Sequence, residues 1–245
     1  MSLSRAETKG SPEAIVALDV PTLADAKRVL DTLGDLPLIY KVGMEAYFSY
    51  GNEICAELQR RNATYFLDLK LNDIPRTVAA GIRALVQPGA RIIDVHALGG
   101  SEMMMAAVEA AEERALELGI DPPEVFAVTI LTSIAPEDLR ELGLEGGPGE
   151  NATRLAALAR DARCTGVICS PQEVRDIKSF FGTEFKTLTP GIRPAGASHG
   201  DQKRVMTPAA AREAGSDYIV VGRPILEAPD MRAAAEAILS ELLPA

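Results

Sequence analysis

The chain has 245 residues, 47% hydrophobic, 24% charged and 4% aromatic, values of an ordinary globular protein and not of a disordered or collagenous one. Lys plus Arg number 25 against 35 Asp plus Glu, and the resulting charge of −10 repels a phosphate backbone and argues against general nucleic-acid binding. No run approaches the roughly 18 apolar residues of a membrane span, and three cysteines without CxxC spacing (Cys55, Cys164, Cys169) point to a reducing, cytoplasmic setting and not to a disulfide framework.

Residues 1–10 (MSLSRAETKG) lack the apolar core of a signal peptide and read as a disordered or expression leader ahead of one domain over 11–245. Beyond them, short apolar runs alternate with longer stretches of helical periodicity. Strands are predicted at 14–19, 37–43, 64–69, 91–96, 125–130, 165–169, 185–190 and 217–222. Their continuous Val/Ile/Leu content suits parallel strands covered on both faces. Helices are predicted at 23–33, 46–61, 78–86, 103–118, 152–162, 208–214 and 231–242, with caps or early prolines at Pro21-Thr22, Ser101-Glu102, Ser170-Pro171, Thr207-Pro208 and Pro229-Asp230. Eight βα units in this length match a single (β/α)8 TIM barrel. A doubly wound sheet is the rival, but it would be expected to carry a glycine-rich turn after its first strand, and LDVPTLAD contains no glycine. No composition break divides the chain.

In a barrel the chemistry collects at the carboxyl ends of the strands. There the apolar runs end in Asp19, Lys41, the block Asp68-Leu69-Lys70-Leu71-Asn72-Asp73, Asp94 and His96, Thr129, Thr132 and Ser133, Ser170, Gly191-Ile192-Arg193, and Gly222-Arg223. The densest group is Asp68, Lys70 and Asp73. A strand period of two places Asp68 and Lys70 on one face. With Lys41 from the neighbouring strand, two cations and two carboxylates could lie in contact. Such a network can keep its members charged in a cleft and position a lysine as proton donor, or it can serve as a structural salt-bridge cluster closing the barrel mouth.

Phosphate is the second theme. Gly191-Ile192-Arg193-Pro194 and Val221-Gly222-Arg223-Pro224 follow the seventh and eighth strands, where many barrels grip a phosphate through backbone N–H groups and arginine forks. Residues 195–202 (AGASHGDQ) have the small, polar composition of a mobile lid, although surface loops are often built this way. His96 reads as a pocket wall, and His199 falls in the lid. Met103-Met104-Met105 reads as flexible packing. No HExxH, histidine pair or cysteine cluster suggests a metal site, and no nucleophile elbow or P-loop is present.

Asp19 in ALDV, Lys41 in KVG, DLKLNDIPRT (68–77), ILTS (130–133), LTPGIR (188–193), Gln202 and VGR (221–223) together resemble the orotidine 5′-monophosphate decarboxylase family, in order, from about residue 11 to 242. One departure is Asn72, which stands where many bacterial members carry His. The resemblance implies decarboxylation of orotidine 5′-phosphate (OMP) to UMP without metal or organic cofactor. It implies Lys70 as proton donor to C6, Asp68 beside the departing carboxylate, and Asp73 and Thr77 reaching a neighbouring site across a homodimer. Asp19 and Lys41 would contact the ribose, and Thr132 and Ser133 the pyrimidine edge. Arg193, Gln202, Gly222 and Arg223 would hold the phosphate. A magnesium-dependent sister decarboxylase, a Schiff-base aldolase using Lys70, and a silent nucleotide-binding barrel are the other readings. The first carries Glu where Lys41 stands, and the second needs a neutral amine that flanking carboxylates oppose.

Overall fold

The computed structural model describes residues 11–195 and 204–244. The leader expected over 1–10 and most of the loop expected as a lid, including His199 and Gln202, lie outside the described residues. In chain order the elements are β1 (Glu13–Ala17), α1 (Leu23–Leu33), β2 (Leu38–Gly43), α2 (Met44–Tyr50), α3 (Asn52–Arg60), β3 (Tyr65–Leu71), α4 (Pro75–Leu85), β4 (Ala90–His96), α5 (Ser101–Leu118) and β5 (Glu124–Val128). They continue as α6 (Pro136–Glu141), α7 (Pro148–Asp161), β6 (Gly166–Ile168), α8 (Val174–Phe181), β7 (Lys186–Thr189), α9 (Pro208–Ala214), β8 (Tyr218–Val221), α10 (Arg223–Leu226) and α11 (Met231–Leu242). Each strand pairs in parallel with the next and β8 returns to β1, so the sheet closes into the (β/α)8 barrel that the alternation predicts.

Two apolar layers follow from the period-two strands. Inward residues such as Ile15, Ile39, Phe66, Ile92, Phe126 and Leu188 fill the lumen, while their outward neighbours pack under the helices. The helices supply matching stripes. In α1, Ala26, Val29, Leu30 and Leu33 are buried at helical spacing, and the Thr22 hydroxyl caps the first turn by accepting from the Asp25 N–H at 3.0 Å. Met103 and Met104 are fully buried in α5, as packing residues should be, whereas Met105 is on the surface. The amino ends of the strands are sealed by a polar plug. There the Arg91 guanidinium grips Glu13, and the Tyr218 hydroxyl and Lys186 ammonium share Glu124. The carboxyl end opens into a cavity.

Three local departures from the sequence reading matter. The helix expected at 46–61 is two helices, because Gly51 sits at φ +55° between them, a backbone conformation glycine adopts at little cost. The short helices α6, α8 and α10 have no counterpart among the predicted elements. The third departure is in β3. From Leu67 to Leu71 the strand advances four residues while β4 advances two, Ile93 to Val95, and Lys70 takes φ +48° inside the resulting bulge. Asp68 and Lys70 therefore do not meet through simple strand alternation; the bulge brings them together. No described helix is long and apolar enough to cross a membrane.

Candidate active site

The open end of the barrel holds a cavity of about 600 Å³, a size suited to a small-molecule ligand. Phe66, Val128, Ile168, Leu188 and Val220 make its apolar floor. Asp19, Lys41, Asp68, Lys70, Thr132, Ser133, Arg193, Gly222 and Arg223 contribute to its walls. Nine residues proposed from separate strand ends thus converge on one chamber.

One wall is a line of alternating charge. Lys41 Nζ lies 3.2 Å from Asp19 Oδ1 and 3.2 Å from Asp68 Oδ2, and Lys70 Nζ forms an ion pair with Asp68 Oδ1. The Lys41 and Asp68 side chains are only 10% and 12% exposed, so little solvent screens them. At 3.2 Å and an effective dielectric near 20, such a contact amounts to roughly 5 kcal/mol. Burial alone would pull the Lys41 pKa down, but Asp68 and Asp19 outweigh it and raise the pKa, so the ammonium stays charged. Burial likewise pushes the Asp68 pKa up, and Lys41 and Lys70 reverse that and bring it to about 2. The backbone makes room for this line. A Cβ on Gly43 would come within 2.8 Å of Lys41 Nζ and 3.2 Å of Asp19 Oδ1, so a larger residue there would crowd the pair.

The facing wall is made by the loops after β7 and β8. Gly191, at φ +80°, turns the chain out of β7, and Ile192 then bridges to Met206. The Arg193 N–H donates to the Met206 carbonyl at 2.9 Å, and its buried guanidinium donates from Nη1 to the Ile192 carbonyl at 2.8 Å. Arg223 opens α10 beside Gly222. Between the walls, beyond β5, Thr132 is buried and Ser133 exposed.

Two predicted members are not brought in. Asp73 and Thr77 are exposed and do not line the cavity. Asp73 Oδ1 accepts from the Ile74 N–H at 2.6 Å and makes no ion pair among the described residues. His96 is partly buried beyond the charged line; burial and then the Lys70 charge lower its pKa. Sequence reasoning missed two further groups. Glu173 is an almost fully buried carboxylate paired with Arg204, which also donates to the Ile130 and Leu131 carbonyls at 3.2 and 3.1 Å and so fixes the loop that carries Thr132. Asp94 is legible in RIIDVH as a strand-end acid, but the sequence gives it no role in the site. It is completely buried, and its Oδ1 accepts from the Leu69 and Lys70 N–H groups at 2.9 and 2.7 Å.

Comparison with known proteins bears on this arrangement. Residues 12–238 match the model of the Orotidine 5′-phosphate decarboxylase / HUMPS family. The chain is 47% identical over 229 residues to the orotidine 5′-phosphate decarboxylase of Moorella thermoacetica, covering 93% of this chain and 91% of that one. It is 44% identical to the enzyme of that name from Saccharophagus degradans, over 94% of this chain and 95% of the relative. The crystal structure of orotidine 5′-phosphate decarboxylase from Lactobacillus acidophilus superposes with a TM-score of 0.83 at 40% identity, over 95% of this chain and 99% of that one.

Proposed function

The chain belongs to the Orotidine 5′-phosphate decarboxylase / HUMPS family, and from that premise we propose that it is a carboxy-lyase converting OMP to UMP and CO₂ without metal or organic cofactor. The observation that carries this reading is the unbroken Asp19–Lys41–Asp68–Lys70 line along the wall of the cavity.

The difficulty of the reaction explains such a wall. When the bond from C6 to the carboxylate breaks, its electron pair stays on an sp² carbon with no electron sink, and enzymes that face barriers of this kind supply about 8–23 kcal/mol. The Lys70 ammonium attracts the charge developing at C6 and then transfers its proton there, leaving a C–H bond and a neutral amine. Asp68 stands beside the departing carboxylate, and the repulsion between them is relieved as CO₂ leaves. Lys41 keeps Asp68 ionised and, with Asp19, binds the ribose hydroxyls. Thr132 and Ser133 meet the pyrimidine edge. Arg193, Gly222 and Arg223, joined by Gln202 from the loop outside the described residues, hold the phosphate. Binding energy from that unreacting end then organises the pocket for the transition state. A dication on this wall would meet the Lys41 ammonium, which disfavours a metal-dependent route.

Asp73 and Thr77 act, in this reading, in the site of a second copy. They stand on an exposed face with Ile74, which is 66% exposed, and with Leu98 on the adjoining loop, 49% exposed; the Asn72 side chain lies against Gly99 between the two. Apolar residues so placed suit a covered homodimer interface. The buried, unpaired thiols of Cys55, Cys164 and Cys169 accord with a cytoplasmic location. The test is the loss of OMP absorbance followed in EDTA. The parent chain should turn over, and Lys70→Ala should lose about 10³-fold in kcat or more. Undiminished turnover in Lys70→Ala would refute the assignment.

A further inference from the structure

The bulge in β3 is the feature on which the charged wall depends, and it needs an explanation of its own. Breaking the parallel ladder strips the Leu69 and Lys70 N–H groups of their strand partners, and a buried N–H without an acceptor is costly. Lys70 adds a left-handed backbone, which is uncommon for a residue with a side chain. Both demands are met by one group. Asp94, on the adjoining strand between Ile93 and Val95, offers Oδ1 to both N–H groups at 2.9 and 2.7 Å.

Its second oxygen is the informative one. Asp94 has no exposed surface, and among the described residues Oδ2 receives no N–H or O–H donor. The Asp94 side chain interacts with the Asp68 carboxyl. Two carboxyls sharing a buried site without a proton between them repel strongly, so one must hold a proton. Asp68 has Lys41 and Lys70 in contact and stays ionised, whereas Asp94 has no ion pair among the described residues. The Lys70 charge and N–H pull the other way without reversing this balance, and the remaining neighbours of Asp94 do not change it. On its own strand His96 lies two residues on, with its pKa lowered by burial and Lys70, and the β5 neighbours Phe126, Val128 and Thr129 carry no charge. Burial, and after it the Asp68 charge, raise the Asp94 pKa well above the ordinary carboxyl range.

We propose that Asp94 is a positioning residue that works as a neutral carboxylic acid. Its carbonyl oxygen pins the β3 bulge that presents Lys70, and its O–H donates to Asp68 and aims that carboxylate along the cavity wall. The inference rests on the reading in which Lys70 and Asp68 carry the chemistry, but the proton on Asp94 can be tested apart from it.

The experiment compares the parent chain with Asp94→Ala and Asp94→Asn. Infrared spectra of the folded proteins at neutral pH should show in the parent the C=O stretch of a buried carboxylic acid, absent from Asp94→Asn. This readout needs no turnover, so it stands even if OMP proves not to be the substrate. In the OMP assay, Asp94→Ala should lose about a hundredfold in kcat, the scale of a misplaced catalytic group, with KM within a few fold of the parent. Asparagine keeps an oxygen for the two N–H groups and an N–H for Asp68, so Asp94→Asn should recover kcat to within about fivefold of the parent. An absent acid band would overturn the proposal. So would an Asp94→Asn variant that folds yet is as impaired as Asp94→Ala, because the residue would then act as an ionised carboxylate.

Discussion

A neutral Asp94 has a thermodynamic consequence that can be measured without substrate. Burial, and after it the Asp68 charge, raise the Asp94 pKa above its unfolded value near 3.9. Between those two pKa values the native state retains a proton that the unfolded chain has released. The stability this group contributes is therefore full at low pH and declines as pH rises, by about 1.4 kcal/mol per unit, until Asp94 itself ionises in the folded protein. Asparagine at this position has no such titration. The stability of Asp94→Asn minus that of the parent should therefore widen steadily above pH 4, by about 4 kcal/mol across three pH units if the proton is held throughout. Asp68 does not interfere, because its native pKa of about 2 puts its titration below the window. Urea denaturation of both proteins at several pH values and one fixed chain concentration measures the difference, with equal m-values confirming that only the native state has changed. A pH-independent difference between the two proteins would refute the reasoning. It would mean that Asp94 enters the folded state ionised and that some other group neutralises its second oxygen.

Replacing Lys41 with Met removes a cation 3.2 Å from Asp68, leaving Lys70 to oppose burial, so the Asp68 pKa should rise. The stability that depends on ionised Asp68, present above the unfolded pKa and lost as pH falls through about 2, should then be lost at higher pH. Correspondingly, kcat/KM should acquire an acid limb within roughly pH 4–6, and a profile as flat as the parent's down to pH 4 would contradict this. Arg223→Ala should raise KM for OMP about 10- to 100-fold, the worth of one or two charge-assisted hydrogen bonds, and barely change turnover of the nucleoside lacking the phosphate. Equal effects on both substrates would remove Arg223 from the phosphate site. Mixing inactive Asp73→Ala and Lys70→Ala chains should restore activity to about a quarter of the parent's, because random dimers place one intact site in half the molecules. No recovery after verified subunit exchange would place Asp73 outside a shared site.

The barrel was legible because its code is coarse. Eight apolar runs with helical stretches between them suffice to specify a closed parallel sheet, and each observed strand overlaps a predicted one. Errors gathered where local chemistry ends an element. The predicted first, sixth and eighth strands ran on to Asp19, Cys169 and Gly222, whereas the observed ones stop at Ala17, Ile168 and Val221 and the polar ends lie in the loops. The helix over 46–61 could not be divided by hydrophobic spacing, which passes through Gly51 unbroken; only the backbone angle there reveals the turn. In α8 Val174 and Ile177 are buried and Phe181 packs against the core, a helical stripe that the reading of the sequence passes over.

The site divides along a similar line. Lys41, Asp68 and Lys70 could be picked out because a charge at the end of a buried strand is expensive unless something uses it. Arg204 and Glu173 gave no such signal, because their pairing joins residues far apart in the chain and depends on how two loops pack. Asp73 and Thr77 do not line the cavity of this chain, and the role proposed for them needs a second copy. Asp94 is the instructive case, since it ends a strand as conspicuously as Asp68 does. What separates them is register. Had β3 continued without the bulge, the Leu69 and Lys70 N–H groups would point to opposite sides of the strand and Asp94 could not accept from both. The four-against-two mismatch turns a second buried acid from a liability into the group that holds the lysine in place, and no hydrophobic period encodes a mismatch of register. The residue that organises the charged line is therefore the one whose meaning appears only when two neighbouring strands are seen side by side.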